Sequence, residues 1–125
     1  MTPLTILHAE DHLLVAQTVR DVLEAQGWRV VTCVSGDAAL DRLAGGDRYD
    51  LLITDNRLPG VDGLEVVRFA RSRPHRAGMP IIMFSAADCG AEAYRAGVSV
   101  FLRKPEGAAQ LVSTVARLLN QGAWG

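Results

Sequence analysis

Five short runs of β-branched and aliphatic residues recur along this chain, and longer stretches whose apolar residues repeat at helical spacing lie between them and after the last. This alternation constrains the fold more than any other feature. The candidate strands run from Leu4 to Ala9, Arg29 to Val34, Asp50 to Thr54, Met79 to Phe84 and Ser99 to Arg103. Neither Leu51-Leu52-Ile53 nor Ile81-Ile82-Met83-Phe84 has a polar member, which suits strands covered on both faces and so a parallel sheet.

Helical spacing places a first helix through Leu14, Val15, Thr18, Val19, Val22 and Leu23, with Gly27 as its stop. A second runs from Gly36 to Leu43, ahead of Gly45-Gly46, and a third from Gly63 to Ser72, ahead of Pro74. Asp62 is the expected N-cap of the third, with Glu65 three residues later. A short fourth helix spans Gly90 to Ala96 and closes at Gly97, and a fifth carries Leu111, Val112, Val115, Leu118 and Leu119. Strict alternation requires right-handed crossovers, which put helices on both faces of the sheet. The expected class is therefore α/β, a doubly wound five-stranded parallel sheet. With 125 residues and no linker or internal repeat, the chain reads as one domain, 1–125.

A net charge of -1 gives no global field toward nucleic acid or an acidic membrane surface. The apolar runs are too short to cross a bilayer, and Met1-Thr2-Pro3-Leu4-Thr5 does not open a secretory signal, so a cytoplasmic location is expected. Cys33 and Cys89 form no CxxC pair and read as free structural thiols. His8, His12 and His75 are not spaced as metal ligands. Arg68, Arg71, Arg73 and Arg76 make a basic run without aromatic partners, read as a solvated face.

In a doubly wound sheet the ligand site lies beyond the carboxyl ends of the strands. Glu10 and Asp11 follow the first strand, Asp55 the third, Ser85 the fourth and Lys104 the fifth. Taken singly these residues are ordinary: Glu-Asp opening a helix is a cap, Lys-Pro is a turn, and a strand-end Ser or Asp caps the next helix. Together they bring three carboxylates, a hydroxyl and an ammonium to one edge. Mutually repelling carboxylates call for a cation, and oxygen donors that leave room for waters suit Mg²⁺. An ammonium beside that ion can grip an incoming phosphoryl group.

At Ala9-Glu10-Asp11, at the stretch Leu51-Leu52-Ile53-Thr54-Asp55-Asn56-Arg57-Leu58-Pro59-Gly60-Val61-Asp62-Gly63, at Phe84-Ser85-Ala86 and at Phe101-Leu102-Arg103-Lys104-Pro105 the chain resembles the receiver domains of two-component response regulators, over essentially its whole length. The resemblance implies a flavodoxin-like (βα)5 fold with strand order 2-1-3-4-5. It also implies that Asp55 accepts a phosphoryl group from a histidine kinase or histidine phosphotransfer protein. Mg²⁺ would be held by Glu10, Asp11, Asp55 and the backbone carbonyl of Arg57. Lys104 and Ser85 would contact the phosphoryl group, Phe101 would act with Ser85 as the switch, and the Lys104-Pro105 bond would be cis. A downstream protein target is implied, without direct nucleic-acid or membrane binding.

Two other functions are weighed against this one. A phosphohydrolase acting through an aspartyl-phosphate usually has a second Asp two residues after the nucleophile, where this chain has Arg57. A degenerate, phosphorylation-independent binding module is the other, but every side chain that the chemistry needs is present. One stretch departs from the family: from Ser85 to Gly97 the chain is roughly three residues short, close to one helical turn of about 3.6 residues. The fourth helix is expected to be truncated. The symmetric dimer through that face is accordingly expected to be disfavoured, leaving a monomer or a non-standard dimer.

Overall fold

A computed structural model describes the backbone of residues 3–124 and the side chains through Asn120. Met1, Thr2 and Gly125, which the one-domain reading of 1–125 includes, lie outside the described residues. The elements are β1 (Thr5–Ala9), α1 (Leu13–Glu24), β2 (Arg29–Cys33), α2 (Gly36–Ala44), β3 (Leu51–Thr54), α3 (Gly63–Ser72), β4 (Ile81–Ser85), α4 (Gly90–Ala96), β5 (Val100–Arg103) and α5 (Leu111–Trp124). A 3₁₀ turn at Glu106–Gln110, which helical spacing did not reveal, joins β5 to α5. All four strand pairings are parallel and the order is β2-β1-β3-β4-β5, as expected.

Side chains alternate across the sheet and so feed two cores. Leu7, Leu52, Ile81 and Met83 pack with Leu43, Val66 and Val67 of α2 and α3. Ile6, Ile53, Ile82 and Phe84 pack with Val19, Leu23, Leu111 and Val115 of α1 and α5. Strands β3 and β4 are buried throughout, as is β1 after Thr5; the edge strands β2 and β5 are partly exposed. Among the described residues no helix is long and apolar enough to cross a membrane.

Caps set the helix starts. His12, Ser35 and Asp62 accept the N–H groups of Val15, Ala38 and Glu65 and begin α1, α2 and α3. The buried stripe of α1 is Ala16, Val19 and Leu23, whereas Leu14 and Val22 of the expected apolar face are exposed. Leu13 and Leu14, in the first turn of α1, are the most exposed of its apolar residues.

The arginine run corrects the sequence reading, because two of its members are not solvated. Arg76 is 3% exposed; its guanidinium donates to the carbonyls of Leu43 (3.0 Å) and Gly45 (2.9 Å) and lies over the Tyr49 ring. Arg71 donates to the carbonyls of Gly97 and Met79. The carbonyls of Leu43, Gly45 and Gly97 sit at the ends of α2 and α4, where no intrahelical donor is available, and that of Met79 lies just ahead of β4; a guanidinium fork satisfies several at once. Arg76→Met is expected to destabilise the fold by about 2–4 kcal/mol, since it strands buried acceptors at the end of α2. Arg76→Lys should rescue little of that loss in chemical denaturation, because one ammonium cannot span the same carbonyls.

Candidate functional site

Glu10 and Asp11 leave β1 at its carboxyl end, and Asp55 leaves β3 beside them, since Ala9 and Thr54 are in register. One carboxylate oxygen from each of Glu10, Asp11 and Asp55 lies within 4.8 Å of the others. Glu10 is buried, Asp55 nearly so, and Asp11 faces solvent.

Backbone donors orient the two inner carboxylates. Asp55 Oδ1 accepts the N–H groups of Asn56 (2.6 Å) and Arg57 (3.4 Å), and Glu10 Oε2 accepts that of His12 (3.1 Å). Asn56 anchors the loop behind Asp55: its side-chain oxygen accepts the Leu64 N–H and its carbonyl accepts that of Gly63. Arg57, two residues after Asp55, sits in this loop.

Lys104 reaches across from the end of β5 to Glu10 Oε1 (2.5 Å) and Asp55 Oδ2 (3.0 Å). Burial works to lower the pKa of this ammonium, but hydrogen bonds and charge from Glu10 and Asp55 outweigh it, and the net shift is upward. Lys104 thus stays charged at neutral pH. Three carboxylates against one ammonium still leave two negative charges at the cluster, which suits a divalent cation held by oxygen donors. The Lys104-Pro105 bond is cis.

Ser85 closes the site from β4. It is buried, its hydroxyl accepts the Ala87 N–H at 3.2 Å, and its carbonyl accepts the Lys104 N–H at 3.0 Å. Phe101 is opposite Met83 on β5, half-buried against the α2 and α3 side of the sheet. His8 lies under the cluster with no partner for its Nδ1, and its pKa falls to about 4 through burial, helped by Lys104 and opposed by Asp55. It is neutral at physiological pH. His12 caps α1, and His75 contacts the Gly45 carbonyl. Cys33 and Cys89 are free and buried, and burial pushes the Cys33 thiol up to about 11.

A family model described as the response regulator receiver domain matches residues 6–116. The chain belongs to the response regulator receiver domains.

This receiver domain is 37% identical over 116 residues to the phosphate regulon transcriptional regulatory protein PhoB of Rhizobium meliloti, covering 90% of the chain and 50% of that protein. It is 29% identical to the polar-differentiation response regulator DivK of Brucella anthropi, covering 94% of the chain and 98% of DivK. Among solved structures it is similar to the receiver domain of the sensor histidine kinase PA1611 from Pseudomonas aeruginosa, which has a magnesium ion coordinated in its active-site cleft. That similarity has a TM-score of 0.86 at 27% identity and covers 95% of this chain and 99% of the other. The receiver domain spans half or less of the first curated relatives it matches. Receiver domains are phosphoacceptors of two-component signalling rather than classical enzymes, and they bind Mg²⁺ in an acidic site.

One feature near the site escaped the sequence reading. A groove of about 300 Å³ lined by Leu14, Val15, Phe84, Lys104, Pro105 and Ala108 runs beside the cluster; Leu14 is 68% exposed, and Leu13, next to it in the chain, 71%. Helical spacing placed Leu14 on the apolar face of α1, whereas it is exposed, as is its neighbour Leu13.

Proposed function

We propose that Asp55 accepts a phosphoryl group from the phosphohistidine of a kinase or phosphotransfer protein, and that the domain then presents an altered surface to a downstream protein. The observation that carries this reading is the convergence of Asp55 with Glu10, Asp11 and Lys104 beyond the carboxyl ends of the strands. Glu10, Asp11, the Asp55 carboxylate and the Arg57 carbonyl are the residues that would hold Mg²⁺. Bound there, the ion would neutralise charge on the phosphoryl oxygens.

The protein's own groups do the rest. The Asn56 and Arg57 N–H groups fix the plane of the Asp55 carboxylate. Asp55 Oδ2, once Lys104 releases it, attacks phosphorus as the donor's P–N bond breaks, and the bonding pair leaves on the imidazole nitrogen. Lys104 exchanges its carboxylate partners for a phosphoryl oxygen, and the Ser85 hydroxyl donates to another. The apolar groove beside Lys104 favours a protein donor over a small phosphoester, because exposed Leu13 and Leu14 gain from burial only under a broad surface. Such exchange with a kinase accords with a cytoplasmic location.

The test is titration with beryllofluoride, a phosphoryl mimic, followed by amide NMR. Shifts around Asp55, Ser85 and Lys104 that require millimolar Mg²⁺ are expected, and no response would favour an inert binding module. In Lys104→Ala, Mg²⁺ should bind several-fold more tightly, because the carboxylates lose their internal counter-ion, while beryllofluoride should bind more weakly. Joint weakening of both would contradict the role given to Lys104.

A further inference from the structure

Helix α4 has seven residues and is held by contacts of unequal kind. At its C-terminal end Arg71 donates Nε–H to the Gly97 carbonyl at 2.8 Å. Gly97 has φ of 119°, and a Cβ there would meet Arg71 Cγ at 2.9 Å, so this end is firmly seated. The N-terminal end is held without a capping bond: the side chain of its cap residue Cys89 is instead buried, with its thiol 3.7 Å from Met83 Sδ. Gly90, the first helical residue, rests on the Phe101 ring, where an added Cβ would lie 3.3 Å from Cδ1. Between the two ends the Tyr94 hydroxyl accepts the backbone N–H of Phe101 at 3.1 Å. Tyr94 is 53% exposed, so little packing constrains its ring beyond this bond.

We infer that Tyr94 is a latch, whose hydroxyl closes on the Phe101 N–H, holds α4 against β5 in the resting domain and so opposes the change imposed by phosphorylation. The inference rests on Asp55 being the phosphoacceptor. Lys104, three residues beyond Phe101, must leave Glu10 and Asp55 to reach a phosphoryl oxygen. Ser85, five residues before Gly90, must turn toward the same group, which disturbs the hydroxyl that now accepts the Ala87 N–H. Both movements pull on the junction that Tyr94 closes, from the β5 side and from the α4 side. With its other end seated by Arg71, α4 pivots. Tyr94 is accordingly a positioning residue, touching neither the phosphoryl group nor the metal ligands.

Linkage gives the sign. A bond made only in the resting form weakens every ligand that selects the activated form, and by the same factor. One neutral, exposed hydrogen bond corresponds to about two- to tenfold in such an equilibrium. Tyr94→Phe removes the hydroxyl and keeps the ring. In the full chain with Mg²⁺, beryllofluoride is expected to bind about two- to tenfold more tightly to this variant, and the Phe101 amide to exchange faster with solvent. A purely structural tyrosine would change stability and leave the affinity alone. Unchanged or weaker beryllofluoride binding in the variant overturns the latch while leaving the assignment of Asp55 intact. If the parent chain itself fails to bind beryllofluoride with Mg²⁺, the assignment of Asp55 falls and the latch falls with it.

Discussion

Asp55→Asn is expected to abolish phosphoryl uptake from a phosphodonor while leaving the domain folded. The amide cannot attack phosphorus, and none of the neighbours can replace it: Glu10 is buried under Lys104, and Asp11 has no backbone N–H pair holding its carboxylate among the hydrogen bonds of the described residues. The fold should tolerate the change well. Asparagine offers an oxygen to the Asn56 and Arg57 N–H groups, and Glu10 keeps Lys104 paired. Removing one of three clustered carboxylates also relieves repulsion, so stability should hold or rise by about 1 kcal/mol. The measurement is formation of a base-labile, acid-stable acyl phosphate. Formation at the parent level in the variant would move the acceptor elsewhere in the chain.

Gly63→Ala should produce a large loss of stability. Gly63 opens α3 directly beneath the phosphoacceptor loop, and a Cβ there would stand 2.0 Å from the Asp55 carbonyl oxygen and 2.8 Å from Asn56 Cα. Both are backbone atoms, so no side chain can swing aside. The obstructed carbonyl is itself tied down, accepting the Thr54 hydroxyl at 2.8 Å, and the Gly63 N–H donates to the Asn56 carbonyl at 2.8 Å. Relief therefore requires α3 to withdraw from the loop, breaking that bond and opening the core around Val66 and Val67. The expected cost is more than about 3 kcal/mol, above the usual range for overpacking because the clash is with backbone. In a domain of this size that lowers Tm by roughly 10 °C or more. A drop of only a few degrees in calorimetry would show that the loop yields easily. Beryllofluoride affinity should fall along with stability, since the same loop carries Asp55 and Arg57.

Much of this architecture is legible in the residues because the signals are local. The apolar runs around Leu52 and Ile82 reveal strands buried on both faces, and Asp62 and Gly97 sit at helix ends where the geometry needs them. The truncation between Ser85 and Gly97 predicts a short α4, and the helix has seven residues. The 3₁₀ turn after Pro105 was missed, since five residues without apolar repetition carry no periodic signal. The basic run was misread for a related reason. Charge along the sequence says how many cations are near one another, but not that the carbonyls of Leu43, Gly45 and Gly97 are waiting for two of them.

By itself the sequence determines the order of strands and helices, the face each apolar residue seeks and the presence of five chemically apt residues at strand ends, because periodicity and handed crossovers convert local pattern into topology. Tertiary structure alone decides that Lys104 bridges Glu10 and Asp55, that Leu13 and Leu14 stay uncovered beside the site, and that Tyr94 grips the β5 backbone. Each of these depends on a distance between segments far apart in the chain or on where a neighbouring surface ends. Spacing along one strand or helix records which way a side chain points, and what it meets there is set only when the other elements have packed.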